Sequence, residues 1–364
     1  MSTRIQPCPN SGAGGYTPQR VSLPVVPGQS PSETISPDVR AALAAYRGPR
    51  NLTSAFQLIL TLTLFVGCWA LMWFSLAMSY WVTLLLAVPT AGMAVRLFVL
   101  QHDCGHGSFF SASRANHIVG TVLAAVTLTP YDCWRRQHAI HHASNGRLDH
   151  RGIGDVDTWT VDEYRAASPW RRLGYRLYRN PLVLFGIGPI VYFALLQRLP
   201  LALPADWTLE RRSVHLTNVL VAAGIVLGAW LVGPLAFLKI HLPVMAIAAS
   251  LGAWLFYVQH QFDPGHWRRD EDWDFYTAAI EGSSYLDLPW VLHWVTGYIG
   301  YHHVHHLDSR IPNYALARSA GAHPSLNRAT RVTLWSSMRY LNLKLWDERA
   351  RELISFGEAR RRHG

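Results

Sequence analysis

The sequence predicts an all-α integral membrane fold: a stem of four transmembrane helices in two hairpins, under a cytoplasmic helical cap. Three observations carry that expectation. Half of the 364 residues are hydrophobic and only 15% are charged, a composition suited to a chain solvated partly by lipid. No charged residue occurs from Asn51 to Val95, and Lys239 is the only Lys, Arg, Asp or Glu from Ser213 to Phe262. The net charge of +10 sits in blocks beside these stretches, and the positive-inside pattern accounts for it without nucleic acid as a partner.

Each long apolar stretch has room for two crossings at ~20 residues apiece. Helices are expected at about 55–74 and 78–100, joined by a very short turn near Ser75, and at about 216–237 and 241–258. Residues 1–50, rich in Pro, Gly, Ser and Thr, are expected to be disordered or interfacial, with one short helix over Pro37–Tyr46 lying against the membrane. Arg4 has no apolar core behind it, so no signal peptide is expected. Residues 51–346 form the membrane domain, and residues 347–364 are read as a charged C-terminal tail. Cys8, Cys68, Cys104 and Cys133 lie far apart, a spacing that suggests neither a disulfide framework nor a thiolate zinc site.

Histidines carry the chemistry. The chain has eighteen, with three tight clusters: His102-Asp-Cys-Gly-His106, His138-Ala-Ile-His141-His142 and His302-His303-Val-His305-His306. On a helix, an i,i+4 or i,i+3,i+4 pattern aims its rings from one face toward one centre. A lone histidine pair is more often solvated or bonded to backbone. Three clusters together are a metal signature, although imidazole suits Fe, Zn, Cu or Ni and does not name the ion. Eight imidazoles are too many for one ion and suit two with open positions. His260 ends the fourth expected helix at the same depth and is a ninth candidate. His303 and His266 are weaker candidates; His117, His150, His215, His241, His293, His323 and His363 are read as structural or surface residues. Asp103, Asp155, Asp157 and Asp308 are candidates to accept from free ring N–H groups.

The apolar run Ile118–Pro130 is too short to span. Parity decides Pro181–Leu196: if it crossed, the clusters before and after the second hairpin would face opposite sides of the membrane. Both runs are therefore placed in the interface or under the cap. Between His102 and Arg212 thirteen Arg and Lys oppose nine Asp and Glu, which puts the clusters and both termini on the cytoplasmic side, of the inner membrane if the source is bacterial. The many Trp and Tyr are read as interface anchors; Trp290, Trp294 and Tyr298 just precede the third cluster. Two metal ions at a lipid boundary suggest redox chemistry on hydrocarbon, because unactivated C–H bonds need an oxidant built from O₂ and electrons.

The three clusters resemble the histidine boxes of membrane fatty acid desaturases. Gly154-Asp-Val-Asp-Thr-Trp-Thr-Val-Asp-Glu-Tyr164, Tyr257–Phe262, Glu281–Tyr285 and Ser309-Arg-Ile-Pro-Asn-Tyr314 extend the likeness to the acyl-lipid Δ12 (omega-6) branch over roughly residues 50–350. Three residues between His102 and His106 also fit that branch. Asp157, Tyr298 and Pro264-Gly-His266 depart from it. The resemblance implies two iron ions held by His102, His106, His138, His141, His142, His302, His305 and His306, with O₂ as oxidant and a fatty acyl or acyl-lipid substrate. No His-Pro-Gly-Gly segment and no nucleotide fingerprint is present, so electrons are expected from a separate ferredoxin- or cytochrome b5-type donor. A hydroxylase, or a carotenoid or alkane oxygenase, on the same scaffold is the alternative. A metal transporter would need polar ligands at mid-membrane, which the apolar stretches lack, and a non-catalytic adaptor would leave the clusters unexplained.

Overall fold

The computed structural model describes residues 37–363. In chain order the helices are α1 (Pro37–Ala44), α2 (Asn51–Ser75), α3 (Tyr80–His106), α4 (Ser113–Thr127), α5 (Tyr131–Ser144), α6 (Val161–Ala166), α7 (Pro169–Tyr178) and α8 (Gly188–Ala194). They continue with α9 (Thr208–Val232), α10 (Pro234–His260), α11 (Phe275–Glu281), α12 (Trp290–Val295), α13 (His302–Leu307), α14 (Asn313–Ser319), α15 (Leu334–Tyr340) and α16 (Phe356–His363). The fold is mostly helical, with five short strands: β1 (Trp159–Thr160), β2 (Tyr285–Asp287), β3 (Arg331–Thr333), β4 (Leu345–Asp347) and β5 (Glu352–Ile354). β2 and β3 pair in parallel; β4 lies between parallel β1 and antiparallel β5. These small sheets tie the cap together and are absent from the all-α expectation, because strands of two or three residues leave no periodicity to read.

Among the described residues, α2, α3, α9 and α10 are long and apolar enough to cross a membrane. A fifth crossing would exist only if α7 and Val183–Arg198, bent by 60° at their junction, were one span. α3 and α10 have 27 residues each. At ~1.5 Å per residue they reach ~40 Å, beyond a ~30 Å hydrocarbon core. Both carry histidine at the C-terminal end. Gly107, at φ +69°, stops α3 directly after His106, its N–H bonding the carbonyls of Asp103 and Cys104. The second hairpin turns at Gly233 (φ +86°) and Pro234, which opens α10. The third long helix therefore ends at Val232, not at the expected residue 237: the Gly-Pro pair breaks the helix where the apolar run does not.

The stem is held partly by polar groups. Ser54, Gln57 and Thr61 of α2 are buried. Arg96 of α3, itself buried, donates to Gln57 Oε1 at 2.9 Å, to Thr61 Oγ1 at 3.1 Å and to the Trp294 carbonyl, and lies 4.2 Å from the Trp294 ring centre. An arginine so deep in an apolar helix has its cost offset by these acceptors. It clamps α2 and α3 to α12.

Both described terminal segments pack against the rest of the chain. Residues 1–36 of the expected disordered segment lie outside the described residues. α1 forms as expected, but Val39 and Leu43 are buried with Val304, Leu307, Ile311 and Leu316. Its apolar side packs under the third histidine cluster. The charged C-terminal tail is folded: Leu345, Ile354 and Ala359 share a core with Tyr164 and Tyr175. Asp347 receives His363 Nε2 at 2.7 Å, while Arg362 pairs with Glu352 and Glu358. The charges read from sequence neutralise one another on the outside of this core.

Candidate metal centre

Four elements bring the histidines together. The last turn of α3 presents His102 and His106, and α5 presents His138, His141 and His142. The Tyr131 hydroxyl, donating to the Cys104 carbonyl at 2.8 Å, fixes α5 against α3. α13 presents His302, His305 and His306, and α10 contributes His260. Ahead of α13 the chain reverses through Gly297 (φ +56°) and Tyr298 (φ +58°). A left-handed Tyr is strained.

The nine imidazoles divide into two groups able to hold metal: His102, His106, His138, His142 and His305 in one, and His141, His260, His302 and His306 in the other. Within each group the donor atoms all lie within 4.8 Å of one another. Neighbouring Nε2 atoms approach closely: His138–His142 3.0 Å, His142–His305 3.0 Å, His141–His260 3.1 Å, His260–His302 2.9 Å and His302–His306 3.1 Å. Two nitrogens each ~2.1 Å from one ion, at right angles, are ~3.0 Å apart.

The hydrogen bonds behind the rings show what those nitrogens carry. His141 Nδ1 faces the Asp155 carboxylate at 2.5 Å and His260 Nδ1 faces the Gly282 carbonyl at 3.2 Å. Both partners only accept, so each Nδ1 holds the proton and each Nε2 turns a lone pair to the other. Two lone pairs at 3.1 Å repel unless a cation lies between them. His102 Nε2 and His106 Nε2 are likewise buried without a hydrogen-bond partner. Burial first, and neighbouring imidazoles second, push His138, His142, His302, His305 and His306 well below the ordinary histidine range. The rings stay neutral, the form that binds metal. The donor set therefore fits a pair of imidazole-ligated ions.

The carboxylate candidates divide. Asp155 supports His141, and Asp103 supports His102, with Oδ1 3.2 Å from His102 Nδ1. Asp103 Oδ2 also accepts from the backbone N and Nδ2 of Asn313, both at 2.8 Å, linking the first cluster to α14. Asp157 and Asp308 do not support a histidine. Asp157 accepts from Trp159 Nε1 at 2.9 Å, while Asp308 pairs with Arg47 and Arg310. Their loops turn them away from the rings, a direction that sequence proximity does not encode.

His303 and His266 are buried but belong to neither group. Burial lowers each to about 4, with Arg268 a second cause at His266. His150, His323 and His363 pair with Asp270, Asp38 and Asp347 on the cap, His117 pairs with Asp132, and His293 Nε2 accepts from the Leu288 N–H. Sequence reasoning missed Asn145, whose Nδ2 reaches Ala278 O, Gly282 O and Ser283 Oγ and so steadies the carbonyl that orients His260. Asn313 was visible only as part of the Ser309–Tyr314 motif.

Residues 77–336 match the sequence profile of the family described as fatty acid desaturase. A protein of Bacillus subtilis (strain 168) named "Fatty acid desaturase" is 42% identical over 86% of this chain and 89% of its own length. The "sn-1 oleoyl-lipid 12-desaturase" of Synechocystis sp. is 27% identical over 62% of this chain and 63% of its own length. The "sn-1 acyl-lipid omega-3 desaturase (ferredoxin)" of the same organism is 29% identical over 69% and 67% respectively. With the profile match covering more than half of the chain and the Bacillus relative nearly its whole length, this chain belongs to the fatty acid desaturase family.

Proposed function

We propose that this desaturase inserts a double bond into lipid-linked acyl chains, at the Δ12 position of oleoyl groups. On this reading His102, His106, His138, His142 and His305 hold one iron, and His141, His260, His302 and His306 hold the second. The observation that carries it is the pairing of neutral, lone-pair-bearing nitrogens at right-angle spacing in two groups, at the ends of the two helices that outreach the bilayer. The position is supported by the motifs outside the boxes and by the oleoyl-lipid relative. Residues 51–346 form the catalytic membrane domain, with both termini and the cap cytoplasmic. α7 and the segment after it then cannot form a fifth crossing without separating α13 from α5.

When bound, the two irons supply the O₂-driven oxidation of the acyl C–H bonds. The chain supplies geometry and dryness. Asp155 and the Gly282 carbonyl keep a proton on Nδ1 of His141 and His260, leaving Nε2 to bind. Trp134 stacks on His138 at 4.5 Å and Phe256 lies 5.2 Å from His141, closing two sides to water. Electrons come from a separate ferredoxin- or cytochrome b5-type protein; a ferredoxin is named for the omega-3 relative.

Expression in a host rich in oleate and free of polyunsaturated lipids tests the reading, with products located by derivatisation and mass spectrometry. A linoleate peak, absent with His141→Ala, is expected. A hydroxylated product would overturn desaturation, and a double bond elsewhere would overturn the Δ12 assignment.

A further inference from the structure

α7 has a face that the protein does not cover. Trp170, Leu173 and Leu177 recur at i, i+3 and i+7, so they share one side of the helix. They are 81%, 46% and 55% exposed. Rotation cannot hide them, because the opposite side is fixed: Tyr175 is buried, donates to the Lys344 carbonyl at 2.6 Å and stacks on Trp159 at 4.4 Å. The rest of the helix surface is basic: Arg171 and Arg172 lie on either side of Tyr175, and Arg176, nearer the apolar face, donates to the Tyr164 hydroxyl. From Tyr164 to Ala205 there are six arginines and no Asp, Glu or Lys. Among the described residues, Arg165, Arg171 and Arg172 form no ion pair with a carboxylate, although the Arg171 guanidinium lies 5.4 Å over the Trp159 ring.

The surface beyond α7 is continuous with the stem. Leu182 and Ile187 come next, both largely exposed, and Phe185 packs edge-on against Tyr257 of α10 at 5.1 Å. The chain bends by 60° between α7 and this segment, so the two do not share an axis. A second copy of the chain is a poor occupant for the face, because it would bring arginine rows together. A bilayer with anionic headgroups matches both the apolar stripe and the uncompensated positive charge.

We propose that α7 lies in the plane of the cytoplasmic leaflet, with Trp170, Leu173 and Leu177 among the acyl chains and Arg171 and Arg172 on the phosphates of anionic phospholipids. This rests on the membrane orientation proposed above. α7 then anchors the cap at the depth where a lipid-linked acyl chain enters and gives the enzyme an anionic lipid shell.

The test uses the full chain in nanodiscs, carrying Cys8→Ser and Cys68→Ser, with a nitroxide at Leu173→Cys. Labels at Trp230→Cys, on the exposed face of α9, and at Asp272→Cys, on the cap, serve as references. Collisions with O₂ and with a water-soluble nickel chelate report depth. The Leu173 label should favour O₂ and lie shallower than the Trp230 label. A Leu173 label as open to nickel as the Asp272 label, with the Trp230 label in lipid, would overturn the proposal and leave the membrane stem intact. A Trp230 label in water would overturn the stem itself. In a second arm, spin-labelled phosphatidylglycerol and phosphatidylcholine compete for the protein surface. Preference for the anionic lipid should fall about fivefold for each of Arg171→Gln and Arg172→Gln. An unchanged preference, or none in the parent protein, would overturn the headgroup contacts.

Discussion

At the residue scale the proposed metal centre rests on side chains that stand behind the imidazole rings. Asp155 holds the proton on His141 Nδ1 across 2.5 Å. Asp155→Asn keeps the shape but weakens that acceptor, and should lower metal affinity or turnover ~10–100-fold, the usual effect of losing a partner behind a ligating histidine. Metal titration of the purified variant against the parent checks it; unchanged affinity and rate would remove Asp155 from the account. His303 lies between two proposed ligands in sequence yet in neither group, so His303→Gln should retain the full metal content, measured by elemental analysis. Spacing made the eight box histidines legible, and position at the end of an apolar helix made His260 legible. Nothing local separated Asp103 and Asp155 from Asp157 and Asp308: all four lie near a box or its motif, and only the loop path decides which faces a ring.

At the element scale the centre needs two long helices to end at one level and two short ones to close over them. One tight joint is the left-handed turn before α13. A Cβ at Gly297 would lie 2.6 Å from Val99 Cγ1 of α3, at a φ of +56°. Gly297→Ala combines a steric clash with an unfavourable backbone and should destabilise the protein by about 1–3 kcal/mol. The expected result is a lower melting temperature in detergent, partly restored by adding Val99→Ala, which removes the clash but not the strain. No loss would mean that the turn adjusts freely. Apolar runs of fixed length made the four long helices readable from sequence. Their ends were less so: the Gly233-Pro234 break lay inside a run of uniform hydropathy. The packing of α1 under α13 depends on Val39 and Leu43, two apolar residues in a polar segment, with a partner roughly 260 residues away and beyond the reach of local pattern.

For the molecule as a whole, burying so many neutral imidazoles ties folding to pH. Unfolded histidine titrates near ~6.5. His138, His142, His302, His305 and His306 are pushed well below that value in the fold, and His303 and His266 to about 4. As pH falls through ~6.5 the unfolded chain takes up protons that the folded chain refuses, so stability present above that value drains away in acid. The metal-free enzyme should melt progressively lower from about pH 7 to pH 5, and the loaded enzyme less steeply until its metal is lost. A flat profile for the metal-free enzyme would mean that the rings are not buried together.

The most direct test of the central claim is the metal content of the purified chain, grown with isotopically enriched iron, by elemental analysis and Mössbauer spectroscopy. Two irons per chain are expected, in two distinguishable environments, one with five imidazoles and one with four. A single iron per chain, two identical sites, or stoichiometric zinc in an active preparation would contradict that claim.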